Sequence, residues 1–212
     1  MLCLEVLGSA GRVPIAELLK LRNLSGLVGA VVTKELERLS AGRLMSNPHQ
    51  DGYPDLLAQT PGALAYQERI FAERRESAKD AWSNPGFGGV EVKATMGNVV
   101  RASEAPKPGL GDERGPTIRS FDWKAHHRET RNLLAVAWDF IDGVPTLSAA
   151  LYRNDLNEDD WGRVVIPREG AGRTTSVSVM RKSGVRKMAS GWLVRSLDEG
   201  VRDGLRSGGI LG

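Results

Sequence analysis

Two apolar runs around a single turn dipeptide constrain this chain more than any other feature. Residues 133–141 (LLAVAWDFI) and 146–152 (TLSAALY) flank Asp142-Gly143, the pairing typical of a tight hairpin turn. A hairpin of that length commits the chain to a sheet, and other segments read as further strands. Residues 53–59 form a short apolar run between Asp51-Gly52 and Pro61-Gly62, and 89–95 (GVEVKAT) alternates. Residues 163–166, 174–180 and 192–195 are also strand candidates.

The first 45 residues read as helical. Leu27, Val28, Val31, Val32, Leu36 and Leu39 recur at three- and four-residue spacing, with Ser25 as N-cap and Gly42 just past the end. A shorter helix over 15–21 precedes it. The pair either packs into a core or forms a helix-turn-helix. Residues 65–82, rich in Glu, Arg, Ala and Lys, read as a solvated helix that Asn84-Pro85-Gly86 stops. Residues 103–116, with three prolines and three glycines, read as a loop. Helices first, then strands with helices between them, predict a mixed α/β (α+β) fold with a central mixed β-sheet flanked by helices, including N-terminal helices.

A length of 212 residues suits a single domain, 1–212. Within it, 1–45 forms a helical part, 50–95 the strands of the candidate site, and 120–212 a strand-rich basic part. The longest uncharged stretch, 56–67, is 12 residues, well short of the roughly 20 that a membrane helix needs. The start, MLCLEVLG, lacks a basic lead and meets Glu5 early, unlike a secretion signal. A single cysteine, Cys3, excludes a disulfide framework and a cysteine-based zinc site. The expectation is a soluble, intracellular protein.

The net charge of +3 is unevenly placed. Residues 1–106 hold 12 bases and 12 acids, whereas 107–212 hold 17 and 14. The stretch 170–197 contains Arg173, Arg181, Lys182, Arg186, Lys187 and Arg195 with no acid. A local positive face matters more for binding phosphates than the chain total does.

Chemistry concentrates at Pro54-Asp55 and Glu91-Val92-Lys93. In a strand, Glu91 and Lys93 project to one face while Val92 turns to the other. If the strand carrying Asp55 lies alongside, its carboxylate joins them. Two carboxylates and a main-chain carbonyl make an all-oxygen site suited to a hard cation such as Mg²⁺. A lysine at that edge can position a water or steady a phosphorane-like transition state. Two ionisable residues in a short, central-looking strand are costly without a function.

These residues resemble the motif of the PD-(D/E)XK nuclease superfamily, read here as Pro54-Asp55 and Glu91-Val92-Lys93, and within it the type II restriction endonucleases. The resemblance implies a restriction-endonuclease-like fold. It also implies that Asp55 and Glu91, with the Val92 carbonyl, bind Mg²⁺ (Mn²⁺ as a substitute), and that Lys93 works on the attacking water. The spacing of 36 residues from Asp55 to Glu91 requires a helix inserted between the motif strands, and Asp51 in the adjacent turn is the alternative acid. Glu35 or Glu37 is a candidate for the extra helical acid that several such nucleases carry, although Lys34 and Arg38 beside them suit an ordinary helix surface. The implied activity is Mg²⁺-dependent, sequence-specific cleavage of double-stranded DNA to 5′-phosphate ends by a homodimer in the prokaryotic cytoplasm. No nucleotide-binding loop is visible, so no nucleotide cofactor is expected.

Three segments are candidates for DNA contact. Lys124, His126 and Arg128 precede the hairpin, where the alternative is a polar lead-in. Arg173, Thr174 and Thr175 offer hydroxyls and main-chain N–H groups to phosphates. Arg181, Lys182, Arg186 and Lys187 read as a basic turn, from which Arg181 or Arg186 can read guanine. Glu158-Asp159-Asp160 reads as a loop or helix start rather than a second metal site, because consecutive acids splay. The competing functions are a repair, junction-resolving or modification-dependent nuclease and a non-catalytic helix-turn-helix DNA-binding protein.

Overall fold

The computed structural model describes residues 3–5, 12–14, 21–83, 86–99, 109–125, 128, 130–166, 176–195 and 199–207. In chain order the strands and helices are β1 (Cys3–Glu5), β2 (Arg12–Pro14), α1 (Leu21–Leu39), β3 (Leu44–Ser46), β4 (Leu56–Ala58), α2 (Pro61–Ala72), β5 (Gly89–Thr95), β6 (Asn98–Val99), β7 (Ile118–Ser120), β8 (Lys124–Ala125), β9 (Leu133–Ile141), β10 (Val144–Arg153), β11 (Ser178–Val179), α3 (Lys182–Ala189), β12 (Trp192–Arg195) and α4 (Glu199–Ser207). The expected mixed α/β architecture is present: a six-stranded mixed sheet in the order β12-β10-β9-β5-β4-β3, with helices packed on it. All its neighbours are antiparallel except β5 and β9, which run parallel with Glu91 opposite Leu133.

The hairpin forms as its sequence requires. Asp142 and Gly143 take φ values of 51° and 73°, the left-handed pair that lets β9 and β10 twist together. Every residue from Leu133 to Phe140 is buried. Even-numbered side chains meet α1: Leu134 and Val136 pack with Val32 and Leu36, and Trp138 and Phe140 pack with Leu24 and Val28. Leu133, Ala135 and Ala137 face the opposite layer, built from Ile118, Phe121, Trp123, Trp161, Met180, Met188 and Leu205. A strand covered on both faces has no use for alternation, which is why this run is apolar apart from Asp139, whose buried carboxylate accepts from the main-chain N–H groups of Arg114, Gly115 and Phe140.

Several boundaries differ from expectation. α1 begins at Leu21, so Ser25 lies inside the helix, where its hydroxyl accepts from Trp138 Nε1 (3.1 Å). Gly42 does follow the helix end, at φ 80°. The first 45 residues are not helical throughout, since β1 and β2 pair as an antiparallel ribbon; residues 15–20 lie outside the described residues. The 53–59 strand shrinks to β4, because Tyr53 instead bridges Ser83. The 65–82 helix is replaced by α2 and a short 3-10 turn, Lys79–Trp82. Thr60 caps α2 one residue before Pro61, and Trp82 is pulled into a core with Leu57 and Ile70. Of 163–166 only Val165 pairs, with Val177, and among the described residues of 174–180 only β11 is a strand. No helix among the described residues is long and apolar enough to cross a membrane.

Candidate active site

β4 and β5 are neighbours, with Leu56 opposite Val90. This register sets Asp55, one residue before β4, beside the middle of β5. Leu56, Val90 and Val92 face α1, so Asp55, Glu91 and Lys93 share the other face of the sheet. There the three charges meet. Lys93 Nζ contacts Glu91 Oε1 directly and lies 3.7 Å from Asp55 Oδ2. Asp55 Oδ2 accepts from the Val92 N–H (2.8 Å), while the Asp55 N–H donates to Glu91 Oε2 (3.3 Å). In the chain, the helix α2 lies between β4 and β5. Asp51, the alternative acid, is exposed in the preceding turn.

The cluster is graded in exposure. The side chain of Glu91 is 4% exposed, that of Lys93 24% and that of Asp55 36%, so the open member is Asp55. Burial, with the neighbouring Asp55 charge, pushes the Glu91 carboxyl up to about 7 despite Lys93 beside it. Burial alone would lower Lys93, but the two carboxylates overcome it and hold the ammonium above its usual value. Two carboxylates thus share one cation in a mostly buried place, an arrangement a second cation would relieve. The main chain adds a further oxygen. The Glu91 N–H points to β9, donating to the Asn132 carbonyl, and the Val92 N–H points to Asp55. Because a strand residue's N–H and C=O point to the same edge, the Val92 carbonyl lies on the Asp55 side. Among the described residues no group of three or more His, Cys, Asp or Glu gathers, so the donors here are two carboxylates and this carbonyl.

One positioning residue escapes sequence reasoning. Asn47 Nδ2 donates to the carbonyls of Pro54 and Trp82 (2.9 Å each), its Oδ1 accepts from the His49 N–H (3.0 Å), and its own N–H donates to the Asp55 carbonyl (2.8 Å). It therefore holds the turn that delivers Asp55. Two glycines leave room for that turn. A side chain at Gly52 would strike Asn47, and one at Gly89 would strike the Leu56 carbonyl and the Pro54 ring. The only sequence signal is an Asn followed closely by Asp-Gly, indistinguishable from any other turn.

The candidate DNA contacts divide. Lys124 is exposed on β8. Arg181, Lys182 and Arg186 are exposed, but on the helix α3 with Arg181 as its N-cap rather than on the expected turn. Lys187 is occupied, donating to Asp160 Oδ2 (2.6 Å) and to the Asp155 carbonyl (3.2 Å). Arg128 is also engaged, donating to the Glu158 carbonyl (2.9 Å). His126, Arg173, Thr174 and Thr175 lie outside the described residues. Glu158–Asp160 starts a 3-10 turn, as its residues suggest, with Asn157 and Asp160 forming a capping box. Glu35 pairs with Arg38. Glu37 accepts from the Ser46 hydroxyl (2.6 Å) and N–H (3.0 Å), tying α1 to β3.

Compared with family models, with curated proteins and with solved structures, the chain matches none.

Proposed function

We propose that this protein is a Mg²⁺-dependent endonuclease of PD-(D/E)XK type acting on double-stranded DNA, with the restriction-endonuclease-like fold its motif implies. One observation carries the reading: Asp55, at the entry to β4, and Glu91 and Lys93, on β5, meet on one face of the sheet although 36 positions separate the two acids. Asp55, Glu91 and the Val92 carbonyl would hold the ion, for which Mn²⁺ is a substitute, and this all-oxygen set fits a hard cation. When bound, the ion supplies Lewis acidity to a phosphoryl oxygen and makes a coordinated water more acidic. The Lys93 ammonium orients the attacking water and offsets negative charge building on phosphorus. Glu91, anchored by burial, fixes Lys93, and Asp55 presents its exposed carboxylate to the substrate side. Direct attack by water leaves 5′-phosphate and 3′-hydroxyl ends. A homodimer acting in the prokaryotic cytoplasm would match a two-fold DNA site with a two-fold protein.

Incubating the protein with unmodified plasmid and Mg²⁺ tests the reading. Discrete fragments that disappear with Lys93→Ala and Asp55→Ala support a restriction enzyme, and their ends give its site. Cleavage confined to branched, damaged or methylated DNA assigns a repair, junction-resolving or modification-dependent nuclease with the same site. Retained DNA binding with no cleavage of any DNA form overturns the reading and leaves a non-catalytic DNA-binding protein.

A further inference from the structure

The bases of the described helices differ in their partners. Lys34 and Arg38 on α1 and Arg202 and Arg206 on α4 are neutralised within their helices, by Glu37, Glu35, Glu199 and Asp203, and Arg69 on α2 lies over the Tyr66 ring. On α3 only Lys187 is paired. Lys182 and Arg186, one turn apart, are exposed, and neither they nor Arg181 joins an ion pair among the described residues.

The backbone beside α3 extends this unneutralised face. β11 pairs with β8, setting Val179 opposite Lys124. On its other side the Gly162 N–H donates to the Val179 carbonyl (2.8 Å), and Val165 and Val177 exchange two hydrogen bonds. Three chain segments distant in sequence therefore lie side by side. Trp123, Ala125, Trp161, Ser178 and Met180 turn inward and are buried, whereas Lys124, Arg163 and Arg181 are exposed. Arg163 and Lys124 are likewise in no ion pair among the described residues. The exposed acids on the adjoining turns are Asp122, Asp159 and Glu158, the last of them paired with Arg128, and they leave the patch positive.

Size and placement point to an extended polyanion. The three side-by-side segments span roughly 10 Å, and the eight-residue α3 is about 12 Å long, enough to follow the phosphates of about three base pairs. The layer rests through Trp161, Met180 and Met188 on Leu133 and Ala135, the residues opposite Glu91 and Lys93 in the sheet. It stands on the face that carries the candidate active site.

We infer that Lys124, Arg163, Arg181, Lys182 and Arg186 form one surface that grips the phosphate backbone of duplex DNA, and that Lys187 takes no part in it. The partner is taken from the nuclease reading above, on which the inference rests. Fluorescence anisotropy of a labelled DNA duplex, titrated with the full-length protein in EDTA from 50 to 300 mM KCl, tests it. Each of the five single alanine variants is expected to weaken binding and to reduce the slope of log K against log salt by about 0.9. Lys187→Ala is expected to lower the melting temperature and leave the slope intact. Unchanged slopes in the five variants overturn the inference, as does a wild-type protein that binds polyglutamate as well as duplex. If the slopes change as stated and Mg²⁺ elicits no cleavage, the nuclease reading fails and the DNA surface stands.

Discussion

Two clusters pair a lysine with a buried carboxylate, and they differ in what the carboxylate does. Asp160 is 2% exposed and accepts from the Asn157 N–H as well as from Lys187. Burial pulls its pKa upward, yet Lys187 and these hydrogen bonds hold it below the usual carboxylate range. The cluster is closed, and its charges stitch α3 to the turn beneath it. Gly184 lets them approach, since a side chain there would meet Met180 and the Asp160 carbonyl. Glu91 is as deeply buried, but it shares its lysine with Asp55 and is pushed up to about 7. That cluster is left short of positive charge and opens through Asp55. A satisfied buried pair reads as structure, and an under-compensated one that reaches the surface reads as a site.

The largest effect expected of this contrast is catalytic. Lys93→Ala should reduce Mg²⁺-dependent plasmid cleavage by at least about 100-fold, the lower range for losing a proton-handling group. Thermal denaturation of the same variant should show a folded protein. Lys187→Ala should do the reverse, leaving Asp160 a buried charge with one partner gone. We expect a loss of about 2 kcal/mol, read as roughly 4–8 °C in melting temperature, with the chemical step unchanged once DNA saturates the protein. Comparable cleavage by the two variants would break the comparison. Asn47→Ala should fall between them, with about tenfold slower cleavage and a raised Mg²⁺ concentration at half-maximal rate, because the turn presenting Asp55 loses its clamp. A melting-temperature change without any shift in Mg²⁺ dependence would make Asn47 purely structural. The smallest effect concerns Glu37, which the Ser46 hydroxyl and Lys34 hold down at about 2, against 4.5 ordinarily. A depressed carboxylate stabilises the fold above its unfolded value and loses that contribution as pH falls from 4.5 toward 2. Glu37→Gln should therefore flatten the acid limb of a stability–pH curve and be less stable than wild type at pH 7.

Legibility followed the range of the interaction. The β9–β10 hairpin is readable because a local turn, Asp142-Gly143, joins runs whose apolar character is visible along the chain. The side-by-side projection of Glu91 and Lys93 is likewise a consequence of strand geometry alone. α3 was masked by Ser183-Gly184, which resembles a turn in sequence; the glycine is there because Met180 and Asp160 press against the helix. Lys187 looked equivalent to its basic neighbours, and its partner comes from 27 residues earlier.

What the sequence by itself determined are the elements with local causes: the hairpin, most of α1 and the pairing of Glu91 with Lys93 on one strand face. Their physics is contained in a few adjacent residues. Only the tertiary structure decided that Asp55 joins that pair, that Asn47 holds it there, and which bases stay free while Lys187 is spent on Asp160. Those outcomes depend on strand order and on charges brought together across tens of residues, which composition and periodicity do not encode.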